Sequence, residues 1–207
     1  MPARRDLLLA LACGALPGVG AAAPLPVALR LERRVFGSPA DLMLARRGDA
    51  TAVAAGEAVF AALQRLNDRW NAWKPGELTA LNAGLRAGRS VDVSPALAAA
   101  IRGAAALESA SAGLFNPAIG RAIGGWGFHD DVLRPGSRPA RSEHVRWQRQ
   151  RPSLVQLEWQ GSLLRSRNPW LQIDLGAYAK GIAADWALDR LRASGIDDAL
   201  VNLGGNL

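Results

Sequence analysis

The 207-residue chain has only one cysteine, Cys13, and only two histidines, His129 and His144. A single cysteine cannot form an internal disulfide bond, so the chain is not one of the small disulfide-stabilised scaffolds. Neither histidine lies near a serine or cysteine nucleophile motif, and no HExxH or paired histidine–cysteine spacing is present. These absences argue against the common hydrolase triads and the common zinc centres.

The glycine-rich motifs GxGxxG and GxxxxGK[ST] are also absent, which argues against a Rossmann or Walker nucleotide site. The net charge of +7 comes almost entirely from arginine, because Lys74 and Lys180 are the only lysines. The arginines are scattered, with no zinc-finger, basic-helix or RNP signature, so we expect no nucleic-acid partner. A composition of 49% hydrophobic and 21% charged residues is typical of a globular protein with room for one domain or slightly more.

No apolar run is long enough to span a bilayer, which takes about 20 residues. Residues 1–23 instead have the parts of an export signal: Arg4 and Arg5, a short apolar stretch, and alanines at 21–23 before a proline. The arginine pair also fits a twin-arginine signal, and an ordinary secretory signal is an equal alternative. Residues 10–13 can be interpreted as a lipoprotein box, so the expected location is periplasmic or exported, with a membrane anchor as an open alternative.

Hydrophobic periodicity predicts both strands and helices along the remaining chain. The predicted strands are a hairpin of 27–36 and 41–45 around a turn at 37–39, a second hairpin of 154–159 and 163–167, and single strands at 171–175 and 199–203. The predicted helices cover 52–70, 94 to about 113, a short stretch through Val145 and Trp147 after an exposed loop at 130–142, and 179–194. Because no regular βαβ repeat is present, we expect an α+β fold of mixed sheets with packed helices.

Lys180 is unusual because it falls in the first turn of the predicted helix at 179–194. The amino end of a helix is positively polarised and disfavours a cation unless an anion lies beside it. A bound phosphate is one such anion, and the nearby carboxylate of Asp174 is the alternative. The sequence leaves both interpretations open.

Three further segments are candidates for ligand contact. Trp73 stands beside a proline turn, away from the apolar stripe that Trp70 completes, and offers a stacking surface for a planar ring. Residues 111–117 and 124–128 combine glycines with aromatic residues, and residues 201–206 end a strand with two glycines that can present amides to an anion. Each of these segments alone is weak evidence for a ligand site, since glycine-rich loops often have no role in binding.

Taken together and in order, the segments resemble the ApbE family, the FAD:protein FMN transferases. The resemblance rests on 174–181 (DLGAYAKG), on Asp185 in the same helix, on 202–205 (NLGG), on 113–117 (GLFNP) and on the turn at 126–128 (WGF). The turns at Phe36 and Trp73 match the positions of two further flavin contacts. The resemblance covers essentially residues 24–207, as one domain that lacks its C-terminal part.

The resemblance implies an exported, Mg²⁺-dependent transferase that cleaves FAD, links FMN to a threonine hydroxyl of a target protein and releases AMP. Its partners would be FAD and an acceptor flavoprotein with the target threonine, with membrane association through an anchored target or a lipid. Residues that would contact FAD are Phe36, Trp73, Leu114, Phe115, Asn116, Asp174 and Lys180. Ala177 would give a metal ligand through its backbone oxygen, and no catalytic residue is assigned.

The sequence departs from the family pattern at its carboxyl end. Family members continue past the turn at 204–205 into a segment with an aspartate and a threonine that complete the metal site, and a histidine that contacts the flavin. Asn116 and Asn206 also stand where many members carry aspartate. Three interpretations therefore remain: a flavin transferase represented by part of its length, an exported FAD-binding protein or FAD hydrolase without transferase activity, and a basic envelope protein without a small ligand.

Overall fold

A computed structural model describes residues 29–45, 50–129 and 138–205. The predicted export signal at 1–23, with Cys13, lies outside the described residues, as do most of the predicted loop at 130–142 and the position of Asn206. From the amino end, the elements are β1 (Leu29–Val35), β2 (Ser38–Leu44), α1 (Ala50–Trp70), α2 (Glu77–Arg86), β3 (Val91–Asp92), α3 (Pro95–Ala110), α4 (Gly120–Gly125), α5 (Arg141–Gln150), β4 (Leu157–Gln160), β5 (Leu163–Ser166), α6 (Gly176–Ala193) and β6 (Ala199–Leu203).

The first sheet has the strand order β1-β2-β6 with antiparallel pairing throughout, which confirms the predicted first hairpin. The predicted turn at 37–39 is wrong, because the chain reverses at Phe36 and Gly37 and Ser38 already pairs with Val35. Phe36 and Gly37 have φ angles of 55° and 69°. Two successive residues of positive φ form the tight turn whose twist matches that of paired strands, so a two-residue connection suffices.

The first sheet is covered on one face by α1 and α6. Residues of β2 alternate so that Leu42 and Leu44 are fully buried against this face. Phe60 and Leu63 of α1 contact the same cluster, and Ala183, Ala187 and Leu191 bring α6 into it. The predicted helix at 52–70 is confirmed as α1, since its apolar residues at three- and four-residue spacing form the buried stripe.

The second sheet has the order β3-β5-β4 and packs with α2 and α3 around a separate cluster of buried side chains. The predicted hairpin at 154–167 is confirmed as β4 and β5, although its first residues form a short 3-10 turn at Leu154–Gln156. Ser94 accepts a hydrogen bond from the Leu97 amide and caps α3 as predicted. The short helix predicted through Val145 and Trp147 is confirmed as α5, and α2 was not predicted.

The predicted strand at 171–175 is wrong. The segment is extended and buried, but its sheet-like pairing within the described ranges is a single parallel bridge between Gln172 and Ile119. On one side, its backbone bonds to the loop at 117–120, since the Asp174 amide donates to the Pro117 carbonyl at 2.8 Å and the Gly120 amide donates to the Gln172 carbonyl at 2.9 Å. On the other side, the Asn82 side chain donates to the Ile173 carbonyl at 2.9 Å and accepts from the Ile173 amide at 2.8 Å. At Ile173, one buried amide side chain thus takes the place of a neighbouring strand.

The architecture is α+β, with two small antiparallel sheets and packed helices, as expected from the sequence. The extended segment at 171–175 belongs to the cluster around the second sheet and leads into α6, which joins the two clusters because Ala179 lies in one and Ala183 in the other. Among the helices of the described ranges, none combines the length and the apolar character that crossing a membrane requires.

Candidate functional site

A cavity of about 550 Å³ lies where the first hairpin, the end of α1, the turn that follows it and the start of α6 meet. This volume is within the range of about 300–1,000 Å³ found for small-molecule sites. The residues that line it are Arg34, Val35, Phe36, Gly37, Gln64, Asn67, Trp70, Asn71, Ala72, Trp73, Lys74, Asp174, Gly176, Ala179 and Lys180. Four of the predicted FAD contacts, at positions 36, 73, 174 and 180, are therefore brought to one cavity from distant parts of the chain.

Phe36 reaches the cavity from the tip of the first hairpin. Its φ of 55° puts a bulky residue in the left-handed region, a conformation that costs about 1–2 kcal/mol relative to the right-handed one. Its side chain is half-buried and packs against the cluster under the first sheet. Strained residues of this kind are concentrated at binding sites, so the conformation is consistent with a functional role for the turn.

Trp73 is held at the cavity by the side chain of Asn71. The Asn71 Oδ1 atom accepts hydrogen bonds from the amides of Trp73 and Lys74 at 2.9 and 2.8 Å, which forms a tight turn after α1. Trp70 is buried in the core as its place on the α1 stripe predicts, and it also contributes to the cavity wall. The indole N–H groups of both tryptophans are buried without a hydrogen-bond partner among the described residues.

Asp174 is fixed by two hydrogen bonds immediately before α6. Its amide donates to the Pro117 carbonyl at 2.8 Å, and its Oδ1 atom accepts from the Gly176 amide at 2.8 Å. The carboxylate thereby satisfies one of the free amides at the amino end of the helix. Because Asn82 fixes the preceding residue, Ile173, the position of this carboxylate depends on a side chain from α2.

Lys180 is the fifth residue of α6, because the helix begins at Gly176 and not at residue 179 as predicted. The prediction that this lysine lies in the first turn is therefore wrong. Its ammonium group donates to the Ser38 Oγ atom at 2.9 Å, and no ion pair joins it to Asp174. The carboxylate alternative proposed for this cation is thus not realised in the structure.

The glycine pair was predicted to present amides to an anion, but both amides are engaged within the chain: the Gly204 amide donates to the Pro39 carbonyl at 2.9 Å and the Gly205 amide to the Asn202 Oδ1 atom at 2.8 Å. Gly204 instead lies beside Lys180. A Cβ atom added to Gly204 would come within 2.6 Å of the Ser38 Oγ atom and 3.0 Å of the Lys180 Nζ atom. Gly204 has a φ of 67°, which a larger residue adopts with strain. The absence of a side chain here lets the end of β6 pack directly against the Ser38–Lys180 contact.

Among the described residues, the cavity wall has more cationic than anionic side chains. Arg34, Lys74 and Lys180 are cations, and Asp174 is the only carboxylate among the described lining residues. A wall with this balance and three aromatic side chains can bind a molecule that combines anionic groups with planar rings. Arg34 and the positioning roles of Asn71 and Asn82 were not predicted. The one sequence signal for Asn82 is that an amide side chain lies on the apolar side of a helix.

The remaining predicted contacts do not line this cavity. Leu114 is 94% exposed in the turn that follows α3, and Phe115 lies against Tyr178 with ring centres 6.3 Å apart. Both polar ends of Asn116 are engaged, since it donates to the Pro152 carbonyl at 2.9 Å and accepts from the Ala118 amide at 2.8 Å. Their roles as FAD contacts stay predictions.

The predicted metal ligand, Ala177, is exposed at the second position of α6, next to the cavity residue Gly176. Within the described ranges, no cluster of three or more histidine, cysteine, aspartate or glutamate side chains is arranged to hold a metal ion. Magnesium prefers near-octahedral sets of oxygen ligands. One carboxylate, Asp174, and one backbone oxygen do not make such a set, so the described residues do not fit a magnesium site by themselves.

A model of the ApbE family matches residues 36–207 of the chain. One curated relative, the FAD:protein FMN transferase of Rhodobacter capsulatus, is 41% identical over 144 residues, which are 70% of this chain and 27% of that protein. A second, from Klebsiella pneumoniae, is 32% identical over 176 residues, covering 84% of this chain and 53% of that protein. The chain thus spans about a quarter to a half of the length of these relatives.

Solved structures show the same fold. The flavin transferase ApbE from Vibrio cholerae superposes with a TM-score of 0.74 at 22% identity, over 86% of this chain and 57% of that chain. The apo form of the Pseudomonas stutzeri flavinyl transferase ApbE gives a TM-score of 0.74 at 23% identity, over 86% of this chain and 58% of that chain. At such identities the likeness concerns the backbone fold.

Proposed function

Because the chain belongs to the ApbE family, we propose that it binds FAD in the cavity between the first hairpin and α6 and serves as part of a flavin transferase. The reaction would move FMN from FAD to a threonine hydroxyl of a target protein and release AMP. The observation that carries the proposal is that Lys180, hydrogen-bonded to the neutral Ser38 hydroxyl, lies on one cavity wall with the aromatic side chains of Phe36 and Trp73. The curated relatives named FAD:protein FMN transferase support the same assignment.

The diphosphate of FAD matches the positive charge of Lys180. Lys180 has a neutral hydroxyl, Ser38, as its hydrogen-bond partner, so its charge is not balanced by an ion pair in the described part of the chain. A phosphate oxygen beside an ammonium group makes a charge-assisted hydrogen bond, which is stronger than a bond to a neutral hydroxyl. We therefore assign Lys180 to the diphosphate, while the aromatic side chains of Phe36 and Trp73 face the ring systems of FAD.

The transfer forms one bond and breaks another at the same phosphorus atom. The threonine oxygen bonds to the phosphorus of the FMN half, the phosphoanhydride bond breaks, AMP leaves with the bridging oxygen, and the hydroxyl proton passes to a base. Magnesium dependence is part of the proposal because a metal ion neutralises charge on such phosphates. Since the described residues do not complete a magnesium site, no step is assigned to the metal.

Export of the protein and an exported acceptor are also part of the proposal. The charged, apolar and small-residue regions of 1–23 support a periplasmic location, by either export route. An acceptor that carries the target threonine would be reached in the same compartment. A lipid on the chain or a membrane-anchored acceptor would bring the reaction to a membrane surface.

The test is transfer of flavin to an acceptor. The full-length protein is incubated with FAD, Mg²⁺ and a target protein with the acceptor threonine, and the target is examined for flavin fluorescence after denaturing electrophoresis. A fluorescent target whose threonine-to-alanine variant stays dark supports the proposal. Free FMN and AMP without a labelled target would point to an FAD hydrolase, and FAD binding without either product to a binding protein.

A further inference from the structure

His129 occupies a position that the proposed function does not use. Helix α4 ends in a Schellman turn, in which the Gly127 amide donates to the Gly124 carbonyl at 2.9 Å and the Phe128 amide to the Ile123 carbonyl at 3.2 Å. Gly127 has the positive φ, 82°, that this turn requires. The turn reverses the chain, so that His129 lies back over α4.

The imidazole ring of His129 stacks on the indole ring of Trp73. The ring centres are 5.2 Å apart and the planes differ by 27°. Gly124 makes room for this contact, because a Cβ atom added there would lie 2.2 Å from the His129 Cε1 atom. The contact therefore needs three residues from two separate parts of the chain: an indole, an imidazole and a glycine.

The stacked imidazole is held without a hydrogen bond at one of its nitrogens. The Nε2 atom of His129 is buried and has no partner among the described residues. A buried polar atom without a partner is unfavourable, since the same atom would be solvated if the ring were exposed. The contact is thus one that a competing planar ring can replace at little cost.

We infer that His129 competes with FAD for the stacking surface of Trp73 and so determines the affinity of the site for the flavin nucleotide. Trp73 packs against the core cluster and also lines the cavity, and the imidazole covers its indole ring. His129 does not itself line the cavity, so we place the stacking ring of FAD on the indole face that the imidazole covers, and His129 leaves that face when FAD binds. This inference rests on the proposed binding of FAD in the cavity.

The test measures the dissociation constant for FAD, by titration calorimetry, in variants that remove or strengthen the competing contact. His129→Ala and Gly124→Ala both clear the indole, the second by displacing the imidazole, and each should lower the Kd by roughly three- to tenfold, the worth of one aromatic stack. His129→Phe keeps a ring there without the unpaired nitrogen and should raise the Kd. His144→Ala is the matched control, since His144 stacks on Trp147 away from the cavity.

A second measurement does not depend on FAD. Acrylamide quenching of tryptophan fluorescence in the ligand-free protein should increase in His129→Ala, because the indole of Trp73 becomes accessible. The increase should vanish in a Trp73→Phe background.

A double variant tests the same contact by FAD binding. In the Trp73→Ala background, removal of His129 should leave the Kd for FAD unchanged.

The outcomes separate this inference from the proposed function. If the wild-type protein binds FAD and His129→Ala leaves the Kd unchanged or raises it, the inference is overturned while FAD binding stands. An increase in Kd in that variant would make His129 a contact of the nucleotide instead of a competitor. If neither the wild type nor any variant binds FAD, both the proposed function and this inference fail.

Discussion

Replacement of Asn82 by alanine tests the packing that fixes the candidate site. The Asn82 side chain is 3% exposed and makes two hydrogen bonds, of 2.8 and 2.9 Å, to the amide and the carbonyl of Ile173. Ile173 is fully buried, so in Asn82→Ala both backbone groups lose their partner inside the protein. Each such group costs about 1–3 kcal/mol, and the free energy of unfolding should therefore fall by about 2–6 kcal/mol.

The measurement is urea unfolding followed by circular dichroism, with the free energy extrapolated to water. Asn82→Leu restores side-chain volume without the hydrogen bonds and should stay destabilised relative to the wild type. Gln148→Ala, a change at an exposed amide on α5, should alter stability by less than about 0.5 kcal/mol. A loss below about 1 kcal/mol in Asn82→Ala would refute the argument that this side chain replaces a strand partner.

The same variant should also weaken FAD binding, because Asp174 follows Ile173 directly. The comparison is Leu85→Ala, which removes a buried side chain of the same helix, costs about 2–5 kcal/mol, and leaves the hydrogen bonds to Ile173 in place. For the same loss in free energy of unfolding, Asn82→Ala should raise the Kd for FAD more than Leu85→Ala does. Equal effects would show that Asn82 acts through global stability alone.

Three further changes test the site and the fold. Lys180→Ala should weaken FAD binding by about 1.5–3 kcal/mol, since one charge-assisted hydrogen bond is lost, and should leave the free energy of unfolding unchanged. Arg192→Ala, at the far end of α6, should leave the affinity for FAD unchanged. Titration calorimetry checks both variants, and an unchanged affinity in Lys180→Ala would remove this lysine from the site. Glu108→Ala leaves the buried Leu154 amide without its 2.9 Å partner and should cost about 1–3 kcal/mol in urea unfolding, a result that a loss near zero would contradict. In Gly37→Ala, the added methyl group has no neighbour within 4 Å, but alanine must adopt a φ of 69°. The thermal unfolding midpoint should therefore fall by the equivalent of about 1 kcal/mol. An unchanged midpoint would show that the turn relaxes.

Local patterns predicted most of the elements. The apolar stripe of α1, the Ser94–Pro95 start of α3 and both hairpins are repeats or caps within a few residues, and such signals are visible in the sequence. The errors fall at boundaries, at the unpredicted elements α2, β3 and α4, and at the segment 171–175. Its apolar residues look like a strand, but its backbone partners are the Asn82 side chain and the loop at 117–120, which no local pattern reveals.

The candidate site was predicted in part. Four of the seven predicted FAD contacts lie on one cavity wall, while the segment 114–116 lies elsewhere with Asn116 engaged in backbone contacts. The resemblance assigns residues to family positions but does not say how far each lies from a common cavity. The stacking of His129 on Trp73 joins residues from separate loops and likewise leaves no trace in spacing.

The sequence by itself determined most of the strands and helices, the likeness to the ApbE family and the excess of positive charge, because these depend on residue identity and on short-range periodicity. The tertiary structure alone decided which cations share a wall, which hydroxyl meets Lys180 and which side chain supports Asp174. Those contacts join residues far apart in the chain, 142 positions for Ser38 and Lys180 and 91 for Asn82 and Ile173. Contacts at such separations are set by how the two core clusters pack together, and that packing follows from the whole chain.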